Sequence, residues 1–223
     1  MAMDDFNPMI QHNYLTHAHA LKNKFILESV VLGVTNIIDW YCSVFNITID
    51  EFSELTQHEN YSMIKKYPIL MPYLSGIRTP HEHPNIEGSI FGLNLNTNKK
   101  NIAWAIIEGI SFIFKECQDI LINNNYSFPK EIVLIGGGAK NIQWAKILSS
   151  LLNVQILVPE NQDYVASIGA IRLAMNNLTM SKYKPIFPES NVIDVDLPLR
   201  EILLERFDRY MEHQKLLFNL TNC

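Results

Sequence analysis

Apolar and polar positions fall into different rhythms along the chain, and each change of rhythm marks an element. Residues 1–23 hold no sustained period and read as polar and irregular, with 1–15 set apart as an irregular N-terminal segment. KFILESVVLGV (24–34) is β-branched and predicts a strand running into a helix. In TNIIDWYCSVF (35–45), Ile37, Ile38, Tyr41 and Phe45 recur at helical spacing. FSELTQHENYSMIKK (52–66) predicts a short helix with a weaker pattern. The Pro- and Gly-rich stretch from 68 to 95 predicts a strand, a long loop and a second strand. A loop of that length inside a compact domain usually carries function.

Asn101 to Asn123 give the clearest helical signal. Ile102, Ala105, Ile106, Ile110, Phe112, Ile113 and Cys117 share one broad face, the face a core would bury. EIVLI then predicts a strand, followed by a glycine turn and a helix from about Asn141 to Leu152. QILVP (155–159) predicts another strand and DYVASIGAIRLAM (163–175) another helix. Strand–helix–strand–helix from 131 to 175 is the signature of parallel α/β architecture. An amphipathic helix closes the chain from about Leu199 to Leu217, with Leu203, Phe207, Tyr210 and Leu217 on its apolar side. Its default partner is its own domain.

The turn after EIVLI is Gly136, Gly137 and Gly138, three of only nine glycines in the chain. A glycine turn between strand and helix admits two readings. One is a tight turn that binds nothing. The other is a place where a phosphate approaches the backbone, because no Cβ intervenes and a helix N-terminus offers N–H groups and a positive dipole end. In open α/β sheets ligands bind beyond the carboxyl ends of the strands, where this turn lies. The local motif is neither a P-loop nor a dinucleotide fingerprint, since Asn141 stands at the third glycine position.

Composition narrows the classes. The 223 residues are 48% hydrophobic and 18% charged, which suits a globular domain with a proper core. The net charge of −5, with no basic block, argues against nucleic acid as partner. No apolar run approaches the ~20 residues of a membrane span. The acidic start MAMDDFNPMI lacks the apolar core of a signal peptide. Cys42, Cys117 and Cys223 are scattered and match no metal spacing, which suits a reducing cytoplasm.

GSIFGLNLNTNKKNIAWAIIE (88–108) resembles a signature of the FGGY carbohydrate kinase family. Gly88, Ile90, Gly92, Leu93, Asn101, Ile102, Ala105, Ile106, Ile107 and Glu108 stand at its small, apolar, polar and acidic places. PYLSGIRTPHEHP (72–84), IGGGAKNIQWAKIL (135–148) and DYVASIGAIRLA (163–174) resemble segments of xylulose kinases within that family, in the same order. The resemblance covers nearly all of the chain from about residue 15 on. It implies that 16–223 is the C-terminal, nucleotide-side domain of a two-domain sugar kinase, with an α/β, ribonuclease H-like fold of the actin and hexokinase superfamily. That fold has a mixed sheet flanked by helices.

The resemblance further implies ATP or ADP, with Mg²⁺, in the interdomain cleft. It places Gly136, Gly137, Gly138, Ala139 and Asn141 around the adenosine and α-phosphate, and Gly92 and Asn94 near the phosphates, so the bend and Gly92 are expected to share one hollow. Transfer of the γ-phosphate to a sugar hydroxyl also needs a general base. In the family that base is an aspartate in an upstream Gly-Asp-x-x-Ala-type segment, which this chain does not contain. No catalytic residue is therefore expected here, sugar would bind only with the sugar-binding half, and the chain alone should not turn over. The Arg-Thr-Pro-His run leans toward xylulose over gluconate, ribulose or glycerol. The alternative is a non-catalytic remnant that works by pairing with another subunit, and an isolated half with an exposed cleft face could dimerise.

Departures from the family pattern are Ile77 for an acid, Asn94 for a usual Thr, Ser149-Ser150 for Ala-Asp, and Asn153 and Gln155 for Gly and Pro. His81 and His83, with His17 and His19, make no tetrahedral metal set and are expected as solvated loop histidines. Arg78 is expected at a domain interface, and Trp144 either stacks on adenine or faces the core.

Overall fold

The computed structural model describes residues 1–58, 60–160, 164–179 and 189–221, without the side chains of Ile10, Thr221 and residues 176–179. Asp163, the expected start of a helix, and Cys223 lie outside the described residues.

At the centre runs α3 (Lys99–Asn123), whose side chains from Ala103 to Ile113 are buried in an unbroken run. A helix apolar on most of its circumference belongs inside a core, so the single broad face expected from the sequence understates its burial. Asn98 starts it with a capping box, accepting from Asn101 N–H while Asn101 Oδ1 accepts from Asn98 N–H. Against α3 pack α1 (Val34–Phe45), α2 (Ile49–Thr56), α4 (Ile142–Leu152) and α6 (Leu197–Thr221). The apolar side of α6 is buried on its own domain, with Leu199, Leu203 and Tyr210 fully enclosed.

Among the described residues three small sheets surround these helices. β1 (Ala2–Met3), β2 (Leu15–Ala18) and β3 (Phe25–Glu28) form an antiparallel sheet in the order β1-β3-β2. The first fifteen residues are thus not wholly irregular. Ala2 and Met3 pair with Ile26 and Phe25, and a 3₁₀ turn follows at Ile10–His12. A two-residue strand is too short to show alternation, and only its distant partner fixes it. β4 (Ile69–Met71) and β5 (Ser89–Phe91) are the strands expected on either side of the long loop, and they pair antiparallel.

β6 (Glu131–Val133) and β7 (Gln155–Pro159) lie parallel, joined through α4 as a crossover. β8 (Ser190–Ile193) adds antiparallel to β7 and makes the sheet mixed. α5 (Val165–Thr179) follows β7, and none of its described side chains is buried. No described helix is long and apolar enough to cross a membrane.

The departures from the family pattern are accommodated by local physics. Ile77 is buried in the core, where an acid would cost desolvation. Asn153 holds the left-handed C-cap of α4 at φ 56°, a conformation Asn adopts more readily than most side chains. Gln155 N–H donates to Lys130 O at 2.9 Å, a bond proline could not make. Ser149 Oγ donates to Val154 O at 2.7 Å, and Ser150 Oγ accepts from Asp196 N–H at 3.1 Å. The loop histidines are not simply solvated. His81 Nε2 hydrogen-bonds Glu116 Oε1 at 2.6 Å, and His83 stacks on Phe218.

Candidate functional site

The three glycines answer to three different demands. Gly136 sits at φ 86°, ψ −176°, a region essentially closed to side chains, although a Cβ there would meet no atom within 4 Å. Gly138 does not have a left-handed φ, but a Cβ on it would lie 2.5 Å from the Trp144 ring. Gly137 has neither constraint: its φ is not left-handed and nothing lies within 4 Å of where a Cβ would stand. Its bare face opens on a cavity.

The bend is a 3₁₀ turn, Gly137–Lys140, in which Ala139 N–H donates to Gly136 O at 3.0 Å and Asn141 N–H to Gly138 O at 3.2 Å. The turn's own bonds start at Ala139, so the N–H groups of Gly137 and Gly138 lead the turn and take no part in those bonds. Asn141 buttresses the bend. Its Oδ1 accepts from Trp144 N–H at 3.0 Å, capping α4, and its Nδ2 donates to Thr56 Oγ1 at 2.9 Å. Ala139 is fully buried and packs into the core. Trp144 faces the core, being 4% exposed with Nε1 donating to Ser111 Oγ at 3.0 Å, and it also lines the cavity.

That cavity, about 280 Å³, lies between the bend and helices α1 and α2. Thr35, Ile38 and Asp39 come from α1, and Ile49, Asp50, Phe52 and Ser53 from α2. Gly33, in left-handed conformation at φ 68°, starts α1 beside it. Thr35 with Asp39, and Asp50 with Ser53, are polar pairs at helical spacing, so each pair shares one helix face. The sequence reading passed over all four, although that polar spacing opposite the apolar stripe was the available signal. The site thus combines leading backbone donors of the bend, two hydroxyls, two carboxylates, the Lys140 side chain and apolar walls.

Gly92 and Asn94 do not share this hollow, contrary to expectation. Gly92 turns the chain after β5 at φ 84°, near Pro68. Asn94 lines a separate cavity of about 700 Å³ with Met63, Lys66, Tyr67, Asn96, Thr97, Asn98 and Asn101. Its polar groups serve the local turn: Asn94 Oδ1 accepts from Asn96 N–H at 2.9 Å, and Thr97 Oγ1 accepts from Asn94 N–H at 3.0 Å. The physical reason is that the 92–98 loop is consumed in turning from β5 into the cap of α3. Arg78 is exposed. Among the described residues no group of three His, Cys, Asp or Glu could hold a metal ion.

The chain is a mixed α/β domain with a glycine bend following β6, and its likeness to solved structures gives it the fold of the actin and hexokinase kind. The solved structure of a xyloylose kinase from Brucella ovis matches it with a TM-score of 0.89 at 25% identity, over 98% of this chain and 46% of that one. A gluconate kinase from Lactobacillus acidophilus shares the fold, with a TM-score of 0.77 at 23% identity over 92% of this chain.

Residues 3–178 match the model of the FGGY family of carbohydrate kinases, C-terminal domain, and the chain belongs to that family. It is 28% identical over 199 residues to the xylulose kinase of Escherichia coli (strain K12), covering 88% of this chain and 39% of that enzyme. It is 33% identical over 159 residues to the xylulose kinase of Staphylococcus xylosus. The chain therefore spans less than half the length of these relatives.

Proposed function

We propose that the cavity beside Gly137 holds the nucleotide of a sugar kinase, so that this chain is the ATP-side domain of a two-part phosphotransferase. The observation that carries the proposal is the empty space at Gly137, bounded by the leading N–H groups of the bend on one side and by two amphipathic helices on the other. Phosphate is the ligand that N–H groups at a bare bend fit best. The acids Asp39 and Asp50 would repel it, so the phosphates run along the bend and the adenosine end lies toward α1 and α2. There the carboxylates accept hydrogen bonds from ribose hydroxyls, and Phe52, Ile38 and Trp144 supply apolar contact.

Mg²⁺ bound with the nucleotide would neutralise phosphate charge during transfer. It would arrive on the phosphates, because Mg²⁺ keeps several waters and needs only one or two carboxylates from protein. The group transferred is the γ-phosphoryl, and the acceptor is a sugar hydroxyl, with xylulose supported by the names of the relatives above. The general base is expected outside the segments this chain matches. This chain binds and orients the nucleotide and, alone, does not turn over. The reading places it in a cytoplasmic pathway, with Arg78 at the face toward the sugar-binding part.

Calorimetric titration with Mg-ADP tests the proposal. Millimolar or tighter binding is expected, and Gly137→Leu should weaken it by about tenfold or more, ~1.4 kcal/mol, with unchanged melting temperature. Absence of binding at millimolar Mg-ADP would overturn the nucleotide reading and favour a non-catalytic pairing domain.

A further inference from the structure

The cavity beside the glycine bend is divided by charge. Its helix walls carry the anions, Asp39 on α1 and Asp50 on α2, together with the hydroxyls of Thr35 and Ser53. The bend carries a cation, Lys140, the last residue of the 3₁₀ turn. Among the described residues Lys140 is the one basic side chain that lines this cavity.

The turn itself sets where that cation stands. A 3₁₀ helix has three residues per turn, so positions i and i+3 eclipse. Residue 140 therefore projects on the same side of the turn as residue 137. Gly137 has no side chain there, and nothing lies within 4 Å of where its Cβ would stand. Lys140 thus shares a side with the bare face of Gly137, and both line the cavity. Lys140 is exposed, so its ammonium stays in reach of water. The neighbouring polar side chain is already committed: Asn141 Nδ2 donates to Thr56 Oγ1 at 2.9 Å, and its Oδ1 accepts from Trp144 N–H at 3.0 Å. A ligand in the cavity meets N–H groups and an ammonium on the bend side, and carboxylates and hydroxyls on the helix side.

We propose that Lys140 is the phosphate-selecting residue of this cavity, holding the anionic end of a nucleotide at Gly137 and leaving the nucleoside end to Asp39 and Asp50. This role rests on the nucleotide reading above and adds a residue and a direction to it. The chain as a whole repels anions, with a net charge of −5, and the cavity adds two carboxylates of its own. Backbone N–H dipoles alone would work against that field. An ammonium on the same side supplies a full charge, and hydrogen bonds from a charged donor are stronger than neutral ones. A nucleotide turned end for end would set its phosphates against Asp39 and Asp50 and leave Lys140 facing a neutral base. Charge therefore favours one orientation, and it favours nucleotides over nucleosides. Lysine is a point charge on a flexible stem, so the selection is by charge rather than by a fixed two-pronged geometry, and arginine should substitute for it.

NMR titrations with adenosine and with Mg-ADP, on the wild type, Lys140→Met and Lys140→Arg, test this. The wild type should bind Mg-ADP about tenfold or more tightly than adenosine. K140M should lose about tenfold in Mg-ADP affinity, keep its adenosine affinity within about twofold, and keep its melting temperature. K140R should retain most of the Mg-ADP affinity. Added salt should weaken Mg-ADP binding in the wild type more than in K140M, because screening acts on the charged contact. Equal losses for both ligands in K140M, or an unchanged Mg-ADP affinity, would overturn the role of Lys140 and leave the nucleotide site standing. Binding of neither ligand by the wild type would overturn the nucleotide reading itself, and the role of Lys140 with it.

Discussion

Arg206→Ala is expected to cost about 3–5 kcal/mol, the loss typical of breaking a buried ion pair from one side. Arg206 and Glu108 side chains are each 1% exposed, and they meet through two bonds, Nε to Oε1 at 2.6 Å and Nη2 to Oε2 at 2.5 Å. The guanidinium also donates to Tyr67 O and Pro68 O, both at 3.0 Å, tying α6 to the segment before β4. Truncation leaves a buried carboxylate to which Trp104 Nε1 donates at 3.3 Å, and strands the carbonyls of Tyr67 and Pro68. Proteins hold only about 5–15 kcal/mol in reserve, so thermal denaturation should show a drop on the order of 10 °C. The double variant Glu108→Gln/Arg206→Met should recover most of the loss, because no uncompensated charge remains. Equal losses in single and double variants would show that packing, not the ion pair, holds α6 in place.

Gly109→Ala should be destabilising by about 1–3 kcal/mol, against the direction that helix propensity gives. In a helix interior Ala is favoured over Gly by about 1 kcal/mol. Here a Cβ at residue 109 would lie 2.4 Å from Leu70 O, a backbone atom of β4 that cannot step aside. Overpacking of this kind costs more than the propensity returns. Urea unfolding decides the sign: a lower midpoint is expected, and a higher one would mean that α3 and β4 are not packed as closely as described.

Much of the scaffold was legible because it is written in local rhythm. The 3.6-residue period of 101–123, the apolar runs before the glycines and at 155–159, and the amphipathic 199–217 stretch each specify an element without help from elsewhere. Ala2–Met3 and Ser190–Ile193 were not legible as strands, since each owes its conformation to a partner more than twenty residues away. The glycine bend was legible as a special place but not in its division of labour. That Gly138 makes room for Trp144 depends on a helix turning back over the bend, and that Gly137 faces open space depends on where α1 and α2 end up. The grouping of Gly92 and Asn94 with the bend followed from resemblance rather than from any pattern, and the loop's commitment to capping α3 separates them. Thr35, Asp39, Asp50 and Ser53 were hidden because a polar helix face ordinarily means solvent.

The most direct test is to follow backbone amide NMR shifts of the chain as Mg-ADP is added. Shifts concentrated at Gly136–Ala139, Thr35 and Ser53 are expected, with Asn94 to Asn98 unmoved. Shifts centred on Asn94, Asn96 and Thr97 with a silent glycine bend would contradict the account.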